Sequence, residues 1–456
     1  MPASEQEVTR ELARYAAGVR FEDLPLEAVR LTRSCILHQL GATMLGSTMP
    51  WTQPFHRYIQ EYGGRPEGTI ANHGTRVAAQ DAALVNSTFA AGSGMEDGYQ
   101  TAPGSAGGVT VPVALALAEK APLSGKQVIG AVALGYDLMW RLQNAMMPSI
   151  ILRGFHPPSV CGVFVATAVA GRLGGLGEED MATALGIAAS HAAGTLEFDQ
   201  TGGDVNIVHR GLAARHGIQS VLLTRLGVTS PRTPLEGKRG ICHTYADTAN
   251  WDVLFQGLGE DFKVLDVCFR QYPLGPMEAP LNTFVNLVEE HNVTADQVEE
   301  IRFHLSSHFL SHGASIYEPW DRVSAQWSLA FSCGLRLAKG SNDLPLYADP
   351  NLWKDEAILG VARKMVAEAN PEAEGPRRKL TRLQLRLKDG RVLERTQEGP
   401  KGSPLDPMSP EELRARFRHS CASVLSPKRQ EQVLAVVDGL ENVDDVKELP
   451  SLLVAG

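Results

Sequence analysis

The stretches VFVATAVAGRLGG (Val163–Gly175) and AALVNSTFAAGSG (Ala82–Gly94) decide the fold class. Both are apolar on every side and dominated by Ala, Val and Gly, the pattern of helices buried on more than one face. Small residues also let helix axes approach closely. Working outward, apolar residues recur at three- and four-residue spacing in Glu5–Gly18 and Pro25–Leu45. The spacing predicts further helices over Gln80–Gly94, Pro112–Lys120, Lys126–Met146, Val160–Leu173, Met181–Gly194 and Gly211–Leu226. Breaks fall at GGLGEED and GVTSPRTPLEG, where Gly, Pro and N-capping residues cluster.

The texture changes after about Asp261. Glu299–Leu305 and Leu380–Leu387 alternate apolar and polar residues with period two and read as half-buried strands. Lys388-Asp389-Gly390 then marks a hairpin, with helices expected over Ala279–His291 and Ala325–Leu337. The tail Ser409–Leu453 returns to helix, opening with Ser409 as N-cap and Pro410 at the first helical position. The expected fold is therefore mainly α: a large all-helical domain of residues 1–260 and 406–456, with a smaller α+β lid domain of residues 261–405.

Bulk properties exclude several classes. A chain of 456 residues is too long for one ordinary core. With 43% hydrophobic and 21% charged residues, a packed interior is expected. The net charge of −9 is spread out, without a basic run of the kind that binds nucleic acid or an anionic membrane. No apolar window is long enough to span a bilayer, and the acidic, amphipathic start carries no signal-peptide pattern. The six cysteines are far apart and show no CxxC spacing, so buried thiols in a reducing, cytoplasmic setting are expected. No nucleotide fingerprint follows any strand.

Three loops hold more polar groups than a helical bundle needs. In Met95–Gly108 (MEDGYQTAPGSAGG), Glu96 and Asp97 precede Tyr99, Thr101 and a Gly-Gly pair. That pair either offers backbone N–H groups to an anion or simply forms a surface turn. In Arg153–Pro158 (RGFHPP), two prolines fix the backbone after His156. A rigid imidazole beside Arg153 suits proton transfer or carboxylate binding, and the plain alternative is a satisfied histidine at a helix start. In Glu197–Gly211 (EFDQTGGDVNIVHRG), Asp204, Asn206, His209 and Arg210 crowd a turn before an apolar helix. Unpaired, such groups cost about 1–3 kcal/mol each, so they form a network or a site. His304, His308 and His312 recur every four residues but end a predicted strand, so a metal site is not expected. Cys161 lacks the charge pattern of an activated thiol.

Taken in order, these loops resemble the MmgE/PrpD family, which includes 2-methylcitrate dehydratase, cis-aconitate decarboxylase and iminodisuccinate epimerase. The matching landmarks include DAALVNSTFAAG with MEDG, GYDLMWRL, RGFHPPSVCGVFVATAVAGRLGGL, HRGLAARHG, FRQYPLG and GSPLDPMSPEELRARF, spread over nearly the whole chain. The resemblance implies a large helical domain with a smaller α+β lid, a homodimer and chemistry needing no organic cofactor. It implies a cofactor-independent lyase of dehydratase or decarboxylase type, which moves a proton beside a carboxylate of a small carboxylic acid. The alternatives are an epimerase of a similar acid, a binding protein, or an enzyme of a specialised biosynthetic pathway.

By the same resemblance Asp97, His156 and Tyr272 are the catalytic candidates, matching DFDD, G-F/W-H-P and K-P-Y-P. Tyr99, Thr101, Arg153, Asn206, His209 and Arg270 are the expected substrate contacts. The chain departs from the family pattern in three places, one of them Arg270-Gln271 where K-P-Y-P has Lys-Pro, which keeps a cation but not a titratable one. Its Met95–Gly108 loop has no histidine, and Asn206 stands where the family has lysine. Asn can serve neither as a base nor as a charged clamp.

Overall fold

The computed structural model describes residues 7–456, so the reading of the first six residues lies outside it. The helices expected between residues 7 and 260 form, most with ends shifted by a few residues. Long helices run over Leu26–Gly46, Ala79–Gly92, Gly107–Ala118, Gly125–Met146, Pro157–Leu173 and Val205–Arg225. Their apolar faces join one continuous core with the C-terminal helices Pro410–Cys421 and Pro427–Asp438. Ser409 caps the first of these, its hydroxyl accepting from the Glu412 N–H while Glu412 reaches back to the Ser409 N–H.

Small residues set how closely the helices pack. A Cβ at Gly217, on Val205–Arg225, would stand 2.3 Å from Ala166 Cβ on Pro157–Leu173. Only hydrogen fits there.

Two boundaries differ from the periodicity and bear on function. Pro112 does not open its helix but lies inside Gly107–Ala118. The Ala106 carbonyl accepts from the N–H groups of Val109 and Thr110, so helical bonding starts well before the proline. The second difference is that Val205–Arg225 begins six residues earlier than its apolar pattern. Asn206, His209 and Arg210 therefore lie on its first turns rather than in a loop. Polar residues there face the site, which hides the helix from a hydrophobicity count.

A second apolar cluster runs from Leu274 to Leu387. It holds a four-stranded sheet in the order Met365–Ala369, Val298–Leu305, Thr381–Leu387, Val392–Gln397. The first pair is parallel, with Ile301 opposite Met365, and the others are antiparallel. Leu383, Leu385 and Leu387 point inward while Arg382, Gln384 and Arg386 point out, as the alternation predicts. Met365–Ala369 is a strand that the periodicity does not announce. The expected helix over Ala325–Leu337 is two, Arg322–Trp327 and Leu329–Lys339, divided by Ser328, which caps the second. We propose that residues 1–260 with 406–456 form one unit and residues 261–405 the other. The strand Val267–Phe269 is shared, because it pairs with Asp97–Tyr99 and its apolar side chains join the first core.

Candidate active site

A cavity of about 160 Å³ lies between the two apolar clusters. The helical unit contributes Glu96, His156, Asn206 and Arg210 to its wall, and the other side contributes Arg270, His308, Arg322, Arg378 and Lys379.

His156 is the N-cap residue of Pro157–Leu173. Its N–H donates to the Gly194 carbonyl (2.9 Å), and its own carbonyl receives the N–H groups of Ser159 and Val160. The two following prolines cost nothing here, since first-turn N–H groups have no helical partner. The backbone is thus fixed on both sides, and the ring is held edge-on to Phe198. His156 Nδ1 lies 3.0 Å from His209 Nδ1. One ring must donate there and the other accept, so the accepting ring is a neutral imidazole. Burial, then Arg210 and His209, push His156 well below the usual histidine range. Burial and Arg210 bring His209 down to about 4. At neutral pH both rings are uncharged.

The second loop is organised around Gly107 and Gly108. Their missing side chains let two acids approach the start of Gly107–Ala118: a Cβ at Gly107 would meet Asp97 Oδ2 at 2.6 Å, and one at Gly108 would meet Glu96 Oε1 at 2.4 Å. The anion at this helix N-terminus is therefore the chain's own. Glu96 also pairs with Arg210 (2.7 Å), whose guanidinium reaches Ser105 Oγ at 3.2 Å. Asp97 is fully buried behind the cavity wall, where it accepts from the Tyr136 hydroxyl and from Gly107 N–H. Burial pushes its carboxyl up to about 6. It supports the wall and does not line it.

The other predicted residues divide sharply. Asn206 lines the cavity, and its buried Oδ1 has no partner. Arg270 lines it too, with Nη1 donating to the Leu274 carbonyl at 3.3 Å. Tyr99 lines it, but its hydroxyl is committed to the Tyr136 carbonyl (2.7 Å). Thr101 is outside, donating to Asp266 (2.7 Å). Arg153 is outside as well, half-exposed and paired with Asp247 (2.9 Å). Tyr272 packs against the second apolar core instead of lining the cavity, and burial lifts its hydroxyl to about 12. The turn that follows presents Pro273, Leu274 and Gly275 in its place.

Apart from Arg270, sequence reasoning missed the far wall. Arg322 pairs with Asp204 (2.5 Å) and lies over the Trp51 ring. His308 and His312 reach the cavity from and just after the short helix Ser307–Ser311. Their four-residue repeat was the one available signal, but it included His304, which lies on the strand 3.5 Å from Glu368. Arg378 and Lys379 sit in a turn before Thr381–Leu387 and look in sequence like any solvated basic turn. Five cations thus face two carboxylates, Glu96 and Glu278, which makes the cavity attractive to anions.

The MmgE/PrpD N-terminal domain model matches residues 10–254, and the MmgE/PrpD C-terminal domain model matches residues 276–442. The chain belongs to the MmgE/PrpD family. It is 25% identical to a cis-aconitate decarboxylase of Aspergillus terreus, covering 98% of this chain and 96% of that protein. Identity to the Mus musculus cis-aconitate decarboxylase is 26%, covering 98% and 93%. A cis-aconitate decarboxylase-like protein of Aspergillus oryzae is 25% identical, covering 98% of each. Among the described residues, no helix is long and apolar enough to cross a membrane.

Proposed function

We propose that this MmgE/PrpD member is a lyase, of dehydratase or decarboxylase type, that acts on a small carboxylic acid by proton transfer at the carbon beside a carboxylate. The reading rests on one observation above the others: a neutral, oriented imidazole at the wall of a cation-rich cavity. The names of the cis-aconitate decarboxylases add to it.

His156 is the proton-transfer group, and its tautomer is decided by His209. When His156 donates through Nδ1, its Nε2 is bare and acts as a base, and the imidazolium that forms keeps its bond to His209. Loss of water from a carbanion-like centre follows that step. Decarboxylation needs the reverse: an imidazolium that delivers a proton to the carbon left by CO₂. A bound polycarboxylate favours that form, because its negative charge opposes the Arg210 field that holds the ring neutral. Arg270 binds the carboxylate next to the reacting carbon, and Asn206 orients it with its amide N–H.

Incubation with cis-aconitate and other small di- and tricarboxylates in D₂O, followed by NMR, tests the reading. Decarboxylation is expected to place one deuterium on the product carbon and reversible dehydration to place it on recovered substrate, and His156→Ala is expected to lower the rate about 10²- to 10⁴-fold. Deuterium incorporation without loss of water or CO₂ would point to an epimerase. Binding without exchange would point to a protein that kept the fold and lost catalysis.

A further inference from the structure

Arg378 has only 8% of its surface exposed, and it lines the cavity. Among the described residues its side chain has no hydrogen bond and no ion pair, unlike Arg210 and Arg322, which are held by Glu96 and Asp204. Asp266 and Glu374 act on it only through space, without an ion pair, so the cost of burying this cation is not offset by a direct partner. Lys379, next in sequence, lines the same wall and likewise has no ion pair. The nearby carboxylate Glu278 is already tied to the Gln271 N–H (2.7 Å). Burial holds the Arg378 guanidinium down at about 10, which is still charged at neutral pH.

We propose that Arg378 and Lys379 form a subsite for a second, non-reacting carboxylate of the substrate. This deepens the lyase reading and rests on it: the reacting end lies by His156, on the helical side, and the distal carboxylate lies on the far wall. The planar guanidinium accepts a carboxylate in bidentate fashion, and the lysine adds a point charge. Binding energy at the distal end holds the reacting carbon against His156.

Calorimetric titration of the full chain with two unreactive probes, glutarate and butyrate, decides the matter. Wild type is expected to prefer glutarate by about tenfold or more, the worth of one charge-assisted bond. Arg378→Met and Lys379→Met are each expected to shrink that preference to about threefold or less, with butyrate binding unchanged. Ligand-free Arg378→Met is expected to melt at the wild-type temperature or above it, since an unpaired buried charge is removed. His156→Ala is expected to keep the preference, which separates failure of the subsite from failure of the lyase reading. The proposal is overturned by a wild type without preference, by an Arg378→Met variant that keeps it, or by one that melts well below wild type. It is also overturned if inorganic phosphate binds more tightly than glutarate in an Arg378-dependent manner.

Discussion

His156 and His209 share one proton between two Nδ1 atoms 3.0 Å apart, so a change at one ring is felt at the other. His209 is the positioning residue: it fixes the tautomer of His156 and, with Arg210, keeps it neutral. Replacing it with Gln is expected to lower kcat roughly tenfold, a fraction of the ~10²- to 10⁴-fold that general acid–base catalysis supplies. KM is expected to change little. The acid limb of the kcat/KM profile is expected to move upward in pH, because one influence that depresses His156 is gone. A purely structural His209 would leave that limb where it was. At this scale RGFHPP was legible because two prolines and a following apolar helix constrain the backbone locally. Tyr272 was not legible in the same way, since its motif context says nothing about which side of a turn the ring takes.

Among the elements, the contact between Pro157–Leu173 and Val205–Arg225 matters most, because one helix begins at His156 and the other carries Asn206, His209 and Arg210. Gly217 sets how closely they approach. Gly217→Ala is expected to destabilise the protein by about 1–3 kcal/mol in urea unfolding, as overpacking does. It is also expected to lower kcat, since the two histidines ride on the separated helices. Gly177→Ala, which meets nothing within 4 Å, is the control and is expected to stay within ~0.5 kcal/mol of wild type. The small-residue texture announced this close packing. The early start of Val205–Arg225 was hidden because its first turns face a polar cavity.

Across the whole molecule, buried neutral histidines set the response to acid. Burial lowers His38 to about 3 and His209 and His216 to about 4, from the ordinary 6.5. The unfolded chain takes up these protons near pH 6.5, and the folded chain only near 3 to 4. Stability is therefore full above about 6.5 and is lost as pH falls from there toward 4. Asp97 works the other way: its folded value of about 6 exceeds the ordinary 3.8, so it favours the folded state below that range. Burial raises Asp81, Asp137, Asp266 and Glu278 in the same sense, but nine lowered histidines stand against these five acids. Thermal melts at pH 7.5, 6.0 and 5.0 are expected to show a steadily falling midpoint. A midpoint that is flat or rises on acidification would contradict the neutral, buried state of these rings.

Sequence alone determined what is local and periodic: the run of buried helices, the alternating strands of the smaller unit, the capped tail and the rigid His156. These follow from spacing along a few turns and from proline and glycine, which act on their own backbone. Tertiary structure decided the company that His156 keeps. Arg378 and Lys379 join it from more than 200 residues away, Glu96 neutralises Arg210 across about 110, and Tyr272 turns aside. Which charges meet at a cavity depends on how two separate cores pack against each other, and no short-range pattern encodes that.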